Sequence, residues 1–463
     1  MSIWNMLESE IEAYRKDSRT LPVIPHVTPA ELRLELEARY KFEDPVPLEE
    51  VTADVMRLLR DYTVHVTHPR YFGLFNPSVR YASLVADLLV ALYNPQLATW
   101  SHAPAANEIE RHTLRHFVRS LGWDPDSAMM NFTSGGMEAN LSAVLVALAH
   151  SYPESVNAGL AQLTSCPVIY FTSESHHSFV KIARMTGLGT HFLHEVPTDK
   201  DHIMDTEALV QLIKEHRESG QLPFIVVGTA GTTGAGLIDP LDQIAEIAEQ
   251  NGLWVHVDAA WGGSALLSPR LRALLAGIEK ADSVTWDAHK WLSVPMGAGM
   301  FFCRHREAVR RAFAVTTSYM PDEIGQDALD PYTTTVQWSR RRIGLKVFMA
   351  LAEAGAGGYT HLIEHQAREG DYLREQLGKA GWLVVNKTQL PVVCFSHADI
   401  RAGKTSTKDI LEVIYARNRV WISDYLLGGK EPVLRACITS YKTGHNDIDC
   451  LIEELEYARA VLL

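Results

Sequence analysis

Short apolar runs rich in β-branched residues punctuate the middle of the chain: Val168–Thr172, Phe224–Thr229, Leu253–Val257, Ser283–Trp286 and Gly299–Cys303. Runs of that length, apolar throughout and closed by polar residues, predict buried parallel strands that deliver a functional group at their carboxyl ends. Helical stretches such as Leu241–Gln250 lie between them. Residues 71 to 345 are therefore expected to form a mostly parallel sheet with helices on both faces. Residues 1 to 70 read as helical and charged, broken by the turn-rich stretch Thr20–Pro29. Glu31–Tyr40 carries only a sparse leucine stripe, too thin to bury a core of its own, so this segment is expected to pack on something else. After a helical run from Arg340 to Glu353, the cluster Gly355, Gly357 and Gly358 marks a break. Beyond it, Trp382–Val385, Val392–Phe395 and Val433–Ile438, with a closing helix over Ile448–Leu463, predict a small α+β domain spanning 346–463.

Composition narrows the class of protein without identifying it. A chain of 463 residues has room for two or three domains of ~150 residues. With 46% hydrophobic and 21% charged residues it is ordinary for a globular protein. The net charge of −13 argues against a nucleic-acid or anionic-membrane partner. It leaves room for a local basic pocket. The cysteines at 166, 303, 394, 437 and 450 are scattered, with no metal-ligand spacing, which fits a reducing compartment. The amino terminus is charged from Glu8 onward and lacks a signal-peptide core. No apolar stretch reaches the ~18 residues of a membrane helix. The expectation is a cytoplasmic protein.

Chemistry concentrates at two strand ends. One run, Trp254–Val257, ends on Asp258; the next, Ser283–Trp286, leads into Asp287-Ala-His289-Lys290. A buried unpaired ammonium is costly, so a lysine there is expected to be a Schiff base to an aldehyde cofactor. Asp258 would then match a protonated ring nitrogen, the pairing of pyridoxal phosphate sites. The phosphate is expected where Asn131-Phe-Thr-Ser134-Gly135-Gly136 runs into an apolar helix, because helix amino termini present free N–H groups and a positive dipole end. By itself Ser-Gly-Gly would favour a routine capped helix. A dinucleotide fingerprint is absent, since Gly231-Thr-Thr-Gly234-Ala-Gly236 has the wrong spacing. The His176–His177 pair has no third ligand at sensible spacing, so no metal is expected.

Asp258-Ala-Ala, Asp287-Ala-His-Lys290 and Ser134-Gly-Gly-x-Glu-Ala-Asn140 together resemble the group II pyridoxal-phosphate amino-acid decarboxylases, and the likeness runs from about His68 to the end of the chain. The resemblance implies a fold-type I (aspartate-aminotransferase-like) α/β architecture and a homodimer in which residues 1–70 pack across the interface. It implies Lys290 as the cofactor lysine, Asp258 at the ring nitrogen, and Ser134, Gly135 and His289 at the phosphate. His176, rather than His177, would stack on the ring with Ala260 opposite. Thr232, in the loop Thr229–Thr233, would lie beneath it. Arg435 would hold the α-carboxylate, with a purely structural arginine as an equal alternative.

Tyr332, following the acidic segment Pro321–Asp330, resembles the tyrosine of the family's mobile loop, which donates the proton to the product. A phenylalanine there would point to an aldehyde synthase; Tyr332 favours decarboxylation. Phe72, Phe75 and Trp100 lie in segments similar to those that line the family's substrate pocket and could flank an aromatic side chain, whereas Asp258-Ala-Ala-Trp-Gly-Gly263 and the Arg435 segment look more like the glutamate and cysteine-sulfinate branches. With no lysine or arginine in the pocket segments that clearly demands a side-chain carboxylate, an aromatic amino acid is favoured over an acidic one. Another pyridoxal-phosphate outcome (aldehyde synthesis, transamination, carbon–sulfur lysis) and a non-catalytic scaffold are the alternatives.

Overall fold

The computed structural model describes residues 2–16, 18–315 and 329–463. Seven strands make the larger sheet: β1 (Met129–Thr133), β2 (Pro167–Phe171), β3 (Leu193–Glu195), β4 (Leu222–Thr229), β5 (Trp254–Asp258), β6 (Ser283–Asp287) and β7 (Gly299–Cys303). Their order is β1-β7-β6-β5-β4-β2-β3. β7 alone runs antiparallel to its neighbours, and the other pairings are parallel, as the uninterrupted apolar runs predict. Both faces are covered. The helix Gly136–Ser151 packs on β6 and β7, while Phe117 from the helix Pro104–Ser120 meets Trp286 edge-on at 4.9 Å.

Four antiparallel strands form the second sheet, in the order β10-β11-β9-β8: β8 (Leu383–Val384), β9 (Val392–Ser396), β10 (Ser423–Leu427) and β11 (Glu431–Cys437). A long helix, Gly344–Lys379, joins the two sheets and breaks at Gly355, whose φ of 65° and ψ of 174° are not helical. The expected glycine break is therefore present. It takes the form of a kink at which two helices meet.

Phe72 corrects an expectation. It is fully buried among Trp382, Phe395 and Leu434 in the core of the second sheet. Its N–H donates to the Trp421 carbonyl and its own carbonyl accepts from Cys437. The segment around it is thus laced into the C-terminal unit, and the ring has no face left for a substrate. At the amino terminus, the helices Ile3–Lys16 and Pro29–Arg39 bury no residue, although a capping box between Thr28 and Glu31 fixes the start of the second. No helix among the described residues is long and apolar enough to cross a membrane.

Candidate active site

Parallel strands place their carboxyl ends along one edge of the sheet, and this edge collects the candidate residues. A cavity of about 270 Å³ opens there, lined by Ser134, His176, Asp258, Ala260, His289 and Lys290 among others. Asp258 is the last residue of β5 and is buried. Its Oδ1 accepts the Ala260 N–H at 3.1 Å and its Oδ2 accepts Asn140 Nδ2–H at 2.8 Å. Lys290 stands three residues past the end of β6, with its Nζ 3.2 Å from Asp287 Oδ2. The second oxygen, Asp287 Oδ1, is buried without a partner. Phe75 lies beneath, stacked on Trp261 at 4.7 Å, with Lys290 Nζ 5.6 Å from its centroid and the Arg435 guanidinium 5.4 Å from it.

Both histidines at the cavity are pushed below their ordinary range, chiefly by burial. His176 Nδ1 accepts the Ser178 N–H at 3.1 Å, so the neutral ring carries its proton on Nε2. His289 Nδ1 likewise accepts the Ala298 N–H at 3.2 Å.

The arrangement fits pyridoxal phosphate on three grounds. The helix Gly136–Ser151 begins without a side-chain cap, leaving its first N–H groups for an anion. A Cβ on Gly136 would stand 2.9 Å from Asp287 Oδ2 and 3.3 Å from the Ala260 methyl, so any other residue would close the space between phosphate end and ring. A buried carboxylate and a lysine then lie within the same cavity, as a pyridine nitrogen and an aldehyde require.

Three candidates lie elsewhere. Thr232 is fully buried, and its Oγ1 is spent accepting the Leu237 N–H at 3.1 Å; the neighbours Thr229 and Thr233 line the cavity instead. Trp100 does not line this subunit's cavity either. Its indole donates to Glu108 at 2.8 Å and it borders a separate cavity of about 450 Å³ together with Arg111, Arg306 and Arg310. Tyr332 is buried in the turn Pro331–Thr333, its N–H on the Ala98 carbonyl and its ring 4.9 Å from Trp338. The structure does not bring it to Lys290 within the subunit. Of the acidic segment Pro321–Asp330, all but Leu329 and Asp330 lies outside the described residues.

Arg435, on β11, is buried, and it donates to the carbonyls of Gly73, Thr233 and Gly234 rather than to a carboxylate. Sequence reasoning missed the hairpin that carries it. Tyr425 on β10 reaches across to Glu174, just before His176, and the Gly428 N–H meets the same carboxylate at 3.2 Å. It also left Asn140 without a role, although that residue was visible as the last position of its glycine-rich motif.

A doubly covered, mostly parallel sheet with a lysine and a carboxylate at neighbouring strand ends defines a fold-type I pyridoxal-phosphate enzyme. Comparison with known proteins narrows the class. The pyridoxal-dependent decarboxylase conserved domain matches residues 29–398, and the chain belongs to that family. It is 30% identical over 446 residues to an acidic amino acid decarboxylase of Bos taurus, covering 92% of this chain and 84% of that one. It is also 30% identical over 387 residues to an aromatic-L-amino-acid decarboxylase of Bacillus atrophaeus, covering 82% and 78%. The crystal structure of mouse cysteine sulfinic acid decarboxylase superposes with a TM-score of 0.90 at 28% identity, over 98% of both chains. The reaction is pyridoxal-phosphate-dependent decarboxylation of an L-amino acid.

Proposed function

We propose that this enzyme is a cytoplasmic homodimer that decarboxylates an aromatic L-amino acid. The cavity wall carries the substrate reading. Trp261 lines it with an apolar face, backed by Phe75 stacked on that ring, and among the described residues lining the cavity Lys290 is the only lysine or arginine, which leaves a side-chain carboxylate without a partner in this wall. Bound there, pyridoxal phosphate supplies a ring that accepts the electron pair left when carbon dioxide departs. Lys290 would hold its aldehyde carbon, Asp258 its ring nitrogen, and Ser134, Gly135 and His289 its phosphate. His176 and Ala260 would flank the ring.

The protein's own contribution is orientation. Arg435 spends only part of its donor set on three main-chain carbonyls and is buried beside Phe75. A buried guanidinium without an anionic partner is costly, and a substrate α-carboxylate would complete it. Held there, the α-carboxylate would be fixed in one orientation against the cofactor, which would select its bond to Cα as the one to break.

The dimer reading rests on uncovered apolar surface. Phe42 is 92% exposed and Leu92 73%, with Trp4, Leu59 and Tyr93 also bare. A second copy covering these faces would bury them. Tyr332 is tied to Ala98, close to the exposed end of the helix Tyr81–Tyr93. Because Tyr332 does not reach Lys290 of its own subunit, the proton-donor role that the family resemblance gives it would be exercised in the partner's cavity. The thiols, all free, support a reducing compartment.

Carbon dioxide and amine release from a panel of L-amino acids tests the substrate class. Aromatic substrates should lead by kcat/KM; a lead for aspartate, glutamate or cysteine sulfinate refutes it.

A further inference from the structure

A buried hydrogen-bond chain ends on Asp258, and only one direction of donation satisfies it. Trp254, His256 and Asp258 alternate along β5 and so project to one face of the sheet. Trp254 Nε1–H, which can only donate, gives its proton to Ser283 Oγ at 2.8 Å. Ser283 Oγ lies 2.9 Å from His256 Nδ1, and His256 Nε2 lies 3.0 Å from Asn140 Oδ1. Asn140 Nδ2–H donates to Asp258 Oδ2 at 2.8 Å. Every residue in this chain is buried.

The two ends set the polarity. An ionised Asp258 only accepts, so the Asn140 amide must turn its nitrogen to Asp258 and its oxygen to His256. That oxygen already accepts the Thr285 hydroxyl at 2.7 Å. A bare Nε2 facing it would oppose two lone pairs in a dry interior, which is costly. The proton therefore sits on Nε2, and Nδ1 accepts from the Ser283 hydroxyl, whose oxygen is in turn occupied by the Trp254 indole. Burial keeps the ring neutral, its pKa lowered to about 4. The competing arrangement puts the proton on Nδ1, directed at the Ser283 main-chain carbonyl on the same side. It would leave Nε2 bare against Asn140 Oδ1 at 3.0 Å, with its one other neighbour, the Thr285 hydroxyl, farther off at 3.4 Å and better placed to donate to Asn140 at 2.7 Å.

We infer that Trp254, Ser283, His256 and Asn140 form a one-directional relay that fixes the orientation of the Asp258 carboxylate toward the cofactor's ring nitrogen, with His256 and Asn140 as positioning residues. The inference rests on Asp258 being the partner of that nitrogen.

Two measurements test it. In 15N-histidine-labelled holoenzyme, with the His256 signals identified by their loss in His256→Gln, Nε2 should be protonated and Nδ1 bare. A protonated Nδ1 overturns the relay regardless of what Asp258 contacts. The second measurement compares apoprotein affinities for 4′-deoxypyridoxine 5′-phosphate and for its analogue with carbon in place of the ring nitrogen. His256→Phe should weaken the first by about tenfold, the effect of one unsatisfied buried partner, and leave the second unchanged. Equal losses overturn the inference by making His256 merely structural. If the wild-type protein binds both analogues equally, the reading of Asp258 itself fails, and the relay's purpose with it.

Discussion

Gly234→Ala probes the contact that couples the second sheet to the active-site edge. A Cβ at position 234 would enter the van der Waals shell of the Tyr425 ring, which lies directly over the glycine. The ring must then withdraw, and its hydroxyl leaves Glu174, a buried carboxylate only two residues before His176. Overpacking of this kind costs about 1–3 kcal/mol. Stranding the buried carboxylate adds about 1–3 kcal/mol. For a chain of this length roughly 1 kcal/mol corresponds to ~1 °C in Tm, so the melting point should fall by about 2–6 °C. The carbonyls of Thr233 and Gly234 also hold Arg435. Displacing them should cost up to ~10²-fold in kcat/KM, as misplacement of an orienting group does. Tyr425→Phe removes the hydroxyl and leaves the loop in place; it should show the stability loss from Glu174 with a much smaller kinetic effect. The assay is thermal denaturation of both variants beside amine production over a range of substrate concentrations. Gly234→Ala with wild-type melting and wild-type kcat/KM would refute the coupling.

Mixing Lys290→Ala with Tyr332→Phe under conditions that exchange subunits should recover activity absent from either parent, because one site of the heterodimer then has both an intact lysine and an intact partner tyrosine. Tyr332→Phe alone should lose about 10²–10⁴-fold in amine formation, the usual effect of removing a positioned acid; a mixture no more active than its components places Tyr332 in its own subunit's site or outside the chemistry. Phe75→Ala should reorder substrate preference and lower Tm, whereas Trp100→Ala should leave the order unchanged; the reverse pattern, read from kcat/KM across aromatic and acidic substrates, contradicts the cavity described here. His68 and His256 are both held near pKa 4 by burial, below the unfolded value near 6.5, so the unfolded chain binds more protons between those limits. Stability should thus fall as pH drops through about 6.5 to 4, partly offset by Asp239, which burial raises to about 6; an apoprotein whose Tm is constant from pH 7.5 to 4.5 contradicts the assignment.

β2, β4, β5, β6 and β7 were legible because they are buried and read as unbroken apolar runs; β1, which leads into the glycine turn, and the short, part-exposed β3 were not. β10, Ser423-Asp-Tyr-Leu-Leu427, was not, because it is only partly buried and mixes polar with apolar residues. The strand-end residues Asp258 and Lys290 were legible for a physical reason: a charge that closes a buried strand demands a partner. Thr232 and Thr233 are adjacent and chemically alike, and only the path of the loop decides which of them faces the cavity. Phe72 and Phe75 sit in one short segment, yet Phe72 is fixed by Trp421 and Cys437, more than three hundred residues away in sequence. Periodicity carries no trace of such contacts. The same holds for Tyr425 and Glu174, whose meeting depends on how the hairpin lands on the loop after β2.

Carbon dioxide release by the purified, pyridoxal-phosphate-loaded protein and by its Lys290→Ala variant tests the central claim most directly. The wild-type enzyme should release carbon dioxide and amine in equal amounts from an L-amino acid, and the variant should fold but release neither above background. A Lys290→Ala variant that turns over at the wild-type rate, or a wild-type enzyme that consumes the amino acid without releasing carbon dioxide, would contradict it.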